Sequence, residues 1–261
     1  MKIKLSPILK KGKAIYLAYD QGFEHGPIDF NDKNIDPDYI FNIALKGKYN
    51  GIIVHKGIAE KYYTKKYKKI PLIVKLNGKT KLLKGEPLST QLCTVNEAKK
   101  LGAKAVGYTI YVGSAYSQKM FQEFENIQRE AHKIGIPVIA WMYPRGKAVK
   151  KPQSREIQAY AARLGLELGA DMIKMHISNN MKDFKWLVKS AGKVKVFVAG
   201  GPKASTNKLL ENTYNYMKNG AYGIAIGRNI WQYKEPLKIT KALKEIIFNN
   251  KTPKQAMKYL K

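Results

Sequence analysis

Two lysines stand inside apolar runs that read as buried strands. Lys174 interrupts Asp171-Met172-Ile173-Lys174-Met175, and Lys75 interrupts Pro71-Leu72-Ile73-Val74-Lys75-Leu76. A buried ammonium is costly unless it is paired or neutral. Desolvation and nearby cations lower its pKa, which suits an amine that attacks a carbonyl carbon and forms a Schiff base. The structural alternative for Lys174 is an ion pair with Asp20 or Asp171, and the pattern alone does not choose between them. Lys75 is its rival as nucleophile.

Tyr143 and Asp20 each end an apolar run and are candidate proton handlers. A phenol beside a Schiff base can exchange protons with the substrate. A carboxylate there can orient water and stabilise iminium charge. Each could equally make a structural hydrogen bond. Trp141 could stack on a sugar face, although core packing is the usual fate of such a residue. Gly200-Gly201 and Gly227-Arg228 follow two further runs. Glycines there expose backbone N–H groups to a phosphate, and Arg228 could add a bidentate grip. The alternative is that the glycines serve the turns and Arg228 pairs with a carboxylate. His25, His55, His132 and His176 have no metal-ligand spacing, so no metal is expected. Nucleotide-binding glycine signatures are absent, and no cofactor is expected.

The elements that must position these groups recur regularly. Eight short apolar runs begin at Ala14, Gly51, Pro71, Ala105, Pro137, Asp171, Val194 and Gly223. They are near-continuous rather than alternating, as buried parallel strands should be. Helical stretches are expected over 96–103, 118–135, 155–169, 205–220 and 236–248. Leu-Gly-Ala or Asn-Gly-Ala junctions precede the fourth, sixth and eighth runs, placing a helix-stopping glycine before a strand. This rhythm predicts a single-domain (β/α)8 TIM barrel over residues 1–261, with its chemistry at the C-terminal strand ends. A doubly wound sheet would need fewer strands. Residues 56–70 and 77–94 read as loop-rich insertions. Lys61–Lys69, with Tyr62, Tyr63 and Tyr67, reads as a solvated loop or a subunit contact.

Composition bounds the rest. The 261 residues are 44% hydrophobic, enough for a large core and against disorder. No apolar run approaches the ~18 residues of a membrane span, and the N-terminus does not read as a secretory signal. Cys93 is the lone cysteine, so no internal disulfide forms and a cytoplasmic setting is the default. The net charge of +29 could attract nucleic acid or anionic substrates. The lysines are scattered along the chain with no nucleic-acid-binding motif, which favours a lysine-biased or heat-adapted composition and disfavours nucleic acid.

Eight segments carry a resemblance to a known family. They are LAYDQGFEHGPIDF (17–30), HKGIAEKYY (55–63), LNGKT (76–80), GYTIYVGS (107–114), MYPRGK (142–147), AARLGLELGADMIK (161–174), AGGPK (199–203) and GIAIGRNIWQ (223–232). In order, they resemble the archaeal-type class I fructose-1,6-bisphosphate aldolase family over nearly the whole chain. The resemblance implies a metal-independent barrel in which Lys174 forms a Schiff base with dihydroxyacetone phosphate. It further implies Tyr143 as acid/base and Asp20 as the active-site aspartate. His25, Asp29, Trp141 and Arg145 match substrate-contacting positions. Ala199-Gly200-Gly201 and Gly227-Arg228 match phosphate-binding loops. A small phosphorylated sugar would be the substrate, and a homo-oligomer, decameric or a similar ring, is implied. Three positions depart from the family pattern: Gln21 replaces a usual His, Ala199 a frequent Ser, and Lys174-Met175-His176-Ile177-Ser178-Asn179-Asn180 replaces a K-x-K-Y-T-G-D type run. Alternatives are the related heptulosonate synthase, an aldol or transaldol enzyme of aromatic amino-acid synthesis, and a basic nucleic-acid-binding protein.

Overall fold

The computed structural model describes residues 3–177 and 180–261; Ser178 and Asn179 of the departing run lie outside the described residues. Each of the eight apolar runs coincides with a strand to within a few residues. They are β1 (Ala14–Ala18), β2 (Gly51–His55), β3 (Leu72–Lys75), β4 (Ala103–Val112), β5 (Val138–Pro144), β6 (Met172–Met175), β7 (Lys195–Ala199) and β8 (Gly223–Ile226). All pair in parallel with their sequence neighbours, and β1 closes on β8 through Ala14↔Gly223 and Leu17↔Ile226. Closure leaves no free sheet edge and sets all eight strand ends around one mouth. A two-stranded antiparallel ribbon, Asn77–Gly78 with Thr90–Gln91, sits outside the barrel.

The helices are α1 (Gln21–His25), α2 (Pro37–Lys46), α3 (Lys56–Tyr62), α4 (Val95–Lys100), α5 (Ser117–Lys133), α6 (Arg155–Glu167), α7 (Met181–Ser190), α8 (Thr206–Lys218), α9 (Arg228–Trp231), α10 (Pro236–Asn249) and α11 (Pro253–Ala256). In α5, Met120, Phe124, Ile127 and Ala131 recur at helical spacing and are buried against the barrel. Each large apolar side chain of such a stripe contributes about 1.5–3 kcal/mol on burial. The Gly-Ala junctions act as expected: Gly169 has φ +74° and Gly220 φ +103°, left-handed values that end the helix.

The insertion at 56–70 is more regular than its composition implies. It forms α3 and a 3₁₀ turn, Lys65–Lys69. Tyr63 and Tyr67 are buried, their rings lying 6.3 Å and 5.2 Å from Phe41. The Tyr63 hydroxyl donates to the Ile70 carbonyl at 2.6 Å. The lysines of this segment stay in solvent while its tyrosines pack inward, so these two rings are neither loop nor subunit contact. Helices α2 and α7 also escape a simple pattern reading. In α7 the buried face shrinks to Phe184 and Leu187 among lysines.

Candidate active site

The strand ends bring Lys174, Tyr143 and Asp20 to one cavity of about 290 Å³ at the barrel mouth. Lys174 lies on β6, Tyr143 on β5, and Asp20 just beyond β1 at the start of α1. The period of two along β6 points Lys174 inward, as it does His176 two residues later.

The ion pairs separate the two lysines. Asp20 Oδ2 meets Lys75 Nζ at 3.2 Å. Asp171 is engaged by His132 Nε2 at 2.9 Å and by the Val138 amide at 2.8 Å. Neither carboxylate forms a salt bridge with Lys174, so the structural alternative for this residue is not what folds. Lys174 Nζ instead lies 5.0 Å from the centre of the Trp141 ring. Burial pushes the Lys174 ammonium down to about 8; Asp20 opposes this and the Lys75 charge adds to it. Asp20 is pushed up by burial, but Lys174, Lys75 and His55 outweigh that and hold it well below the usual carboxylate range. The site therefore keeps a fixed anion between two lysines, one paired and one poised to lose its proton near neutrality.

Burial, with Asp20 nearby, raises the Tyr143 phenol well above its ordinary value, so it remains protonated. Arg145 lies over both Tyr143 (5.4 Å) and Tyr111 (5.5 Å) and is fixed by Glu24 at 2.9 Å. Glu24 is a site residue that the sequence reading did not single out. Its signal was its place in the EHGP segment, one residue before His25.

Trp141 is placed differently from its expected role. It does not line the cavity; it is 1% exposed and packs behind Lys174. Its ring fills the space that β4 leaves at Gly107, where a Cβ would fall 1.8 Å from the indole. Asp29 is likewise set back. It receives His25 Nδ1 at 2.8 Å and Arg228 Nη1 at 3.4 Å, while His25 and Arg228 themselves face the cavity.

Ala199, Gly200, Gly201, Gly227 and Arg228 converge on the opposite wall. Two of these glycines differ in what surrounds them. Gly227 is required by packing, since a Cβ would sit 2.6 Å from the Ala18 carbonyl. Gly201, at φ +63° with open space beside it, leaves its backbone accessible. Arg228 does pair with a carboxylate, Asp29, and also donates to the Gly201 carbonyl at 3.3 Å. Asn229 ties the two loops together. Its Nδ2 donates to the carbonyls of Gly200 and Pro202, both at 2.9 Å, and its Oδ1 accepts from the Ala204 amide at 2.8 Å. Asn229 is a residue to which the sequence reading gave no task. Together the parts offer a neutral-poised amine, a protonated phenol, a carboxylate, and a cationic wall of accessible backbone suited to a phosphate ester.

Residues 14–233 match the DeoC/LacD family of aldolases. The chain is 49% identical over 245 residues to a class 1 fructose-bisphosphate aldolase of Thermoproteus tenax, covering 93% of this chain and 92% of the relative. It is 37% identical over 254 residues to a protein of the same name from Halobacterium salinarum, covering 97% of both. It is also similar to a solved archaeal fructose-1,6-bisphosphate aldolase whose catalytic lysine is covalently bound to the carbinolamine intermediate. That similarity has a TM-score of 0.89 and 47% identity, with 93% of this chain and 97% of the other covered.

Proposed function

The chain belongs to the DeoC/LacD aldolase family, and from that premise we infer that it is a class I fructose-bisphosphate aldolase, reversibly cleaving fructose 1,6-bisphosphate. The observation that carries the residue assignment is Lys174: buried, without an ion pair among the described residues, and beside an Asp20 already engaged by Lys75.

Phosphate docks on the loops of Gly200-Gly201 and Gly227-Arg228, which places the sugar carbonyl at Lys174. The neutral amine adds to the C2 ketone, and the amine proton passes to the new oxygen to give a carbinolamine. Tyr143 gives the proton with which that hydroxyl leaves as water, beside the ionised Asp20, producing an iminium. The Tyr143 phenolate so formed takes the C4 hydroxyl proton, which drives cleavage of the C3–C4 bond and restores the phenol. Its electron pair moves toward the iminium nitrogen, forming an enamine, and glyceraldehyde 3-phosphate departs. Tyr143 protonates the enamine at C3. Water hydrolyses the iminium, releasing dihydroxyacetone phosphate and regenerating the Lys174 amine. Asp20 stabilises the iminium charge throughout. The relatives' names favour this reading over heptulosonate synthesis and over nucleic-acid binding.

Borohydride trapping with dihydroxyacetone phosphate, in the presence of EDTA, tests the assignment. The expected result is a reduced adduct mapped by mass spectrometry to Lys174. An adduct on Lys75, or none, would overturn it. A cytoplasmic homo-oligomeric ring completes the proposal. It is supported by the lone buried Cys93, whose thiol burial pushes up to about 11, and by the half-exposed rings of Tyr160 on α6 and Trp186 on α7. Light scattering would measure its size, and a monomer would refute it.

A further inference from the structure

His176 lies in the site, yet the mechanism above gives it no task. Its imidazole stacks on the Tyr143 ring at 4.9 Å with an interplanar angle of 24°. The Gln158 amide fixes its backbone, donating to the His176 carbonyl at 2.8 Å. A stacked ring presents its nitrogens edgewise, and among the described residues neither nitrogen has a hydrogen-bond partner. The residue borders two adjoining cavities. One is the catalytic cavity; the other, of about 600 Å³, extends along the loop after β7 toward Lys203 and Lys208. His176 therefore occupies the junction of these spaces, beside the backbone of Gly200 and Gly201.

Its charged neighbours come from every side. Lys174 precedes it on β6, Arg145 approaches from the loop after β5, and Arg228 from α9; His25 of α1, Lys75 of β3 and Lys81 line the catalytic cavity, and Lys203 and Lys208 the adjoining one. Asp20 and Glu24 are the acidic groups at the site, while Tyr143 is held protonated. Burial and then Lys174, Arg145 and Arg228 push the imidazole down to about 4, with Glu24 opposing weakly, so the ring is neutral in the free protein. A phosphate ester dianion entering this wall neutralises those same cations and faces a ring with free nitrogens.

Resting on the aldolase reading, we propose that His176 is a phosphate-binding residue that meets the sugar phosphate as an imidazolium, taking up one proton as the dianion binds. It touches the substrate through a charge-assisted hydrogen bond and sets a preference for phosphorylated over free sugars. The coupling is reciprocal: phosphate raises the affinity of the ring for a proton, and a proton raises the affinity of the site for phosphate.

The test uses hexitol 1,6-bisphosphate, which lacks the ketone and so cannot form a Schiff base. Calorimetric titration in buffers of different ionisation enthalpy counts the protons exchanged by the unmodified protein, His176→Gln and His176→Lys. Near pH 7, the unmodified protein is expected to take up about one proton more than either variant. His176→Gln should bind roughly tenfold more weakly at pH 6, the loss of one charge-assisted contact. His176→Lys carries a fixed charge, so its affinity relative to the unmodified protein should rise with pH, by up to about tenfold per unit. Equal proton counts in all three proteins, or His176→Gln within about twofold of the unmodified protein, overturn the proposal. Dihydroxyacetone phosphate trapping is run in parallel. An adduct on Lys174 without a proton difference removes the His176 assignment alone, whereas no adduct in any protein removes the aldolase reading beneath it.

Discussion

Replacing Lys75 by Met keeps most of the side-chain stem and removes one charge from the floor of the site. Lys75 is buried and lies 3.2 Å from Asp20, and its charge is one of the causes that lower the Lys174 ammonium to about 8. In Lys75→Met that repulsion disappears, and Asp20 is left with Lys174 as its lysine partner. Both changes favour the charged form of Lys174. A unit charge ~6 Å away in a medium of effective dielectric ~20 is worth about 2.8 kcal/mol, or roughly 2 pKa units. Rearrangement will absorb part of this, so the expected rise is about 1–2 units. At pH 7 the neutral fraction of Lys174, about one in ten at a midpoint of about 8, then falls by ~10–100-fold. The assay is the rate of borohydride-trapped adduct formation from pH 6 to 10. The unmodified protein should show a midpoint near 8. The variant should be slow at neutrality and regain a similar plateau near pH 10. Recovery at high pH separates a shifted lysine from a damaged fold. A midpoint that stays put or moves down, or a loss of equal size at every pH, would refute the electrostatic reasoning.

Three further outcomes are expected. Lys174→Met should abolish trapping yet raise the unfolding midpoint at pH 7. The folded lysine is depressed from 10.5 to about 8, so below pH 8 the native state carries up to ~3 kcal/mol of unfavourable charge burial, relieved as pH rises from about 8 to 10.5. A lower midpoint in denaturant titration would contradict this sign. Gly107→Ala should destabilise by about 3 kcal/mol or more, because its Cβ would fall 1.8 Å from the Trp141 indole; a thermal melt within a degree or two of the unmodified protein would show that β4 yields easily. Arg228→Ala should raise KM for fructose 1,6-bisphosphate about tenfold or more while trapping on Lys174 persists at saturating substrate, and an unchanged KM would place the phosphate elsewhere.

The barrel was readable because its strands are buried on both faces. A strand covered by helices outside and packed side chains inside has to be apolar throughout, and eight such runs stand out in a lysine-rich chain. Helices α2, α3 and α7 were not readable in the same way. Lysine stems let polar residues border the core, so the fully buried face of α7 narrows to Phe184 and Leu187 in a helix of ten residues, a short stretch to read. At the site, Lys174 and Lys75 were visible as polar interruptions, but which one pairs with Asp20 is a matter of three-dimensional register. The pairing of β2 with β3 sets His55 against Lys75, whereas β5 and β6 set Trp141 against Lys174. That register also explains Trp141: a tryptophan beside a reactive lysine reads as a ligand platform until the vacant Cβ position of Gly107, far away in sequence, shows where the indole goes. Glu24 and Asn229 act through partners 121 and 25–29 residues distant, separations at which local pattern carries no signal.

The three hydrogen bonds of Asn229 have a consequence for entropy and for evolution. They join the chain after β7 to the chain after β8, so the two halves of the anion wall move as one body rather than as independent loops. The ordering cost is met during folding and is not charged again at each encounter with a ligand, which favours a preformed wall over a slow closing motion. The same tie restricts change. Lengthening either loop shifts the other, so an insertion after β7 has to be matched by a compensating change after β8.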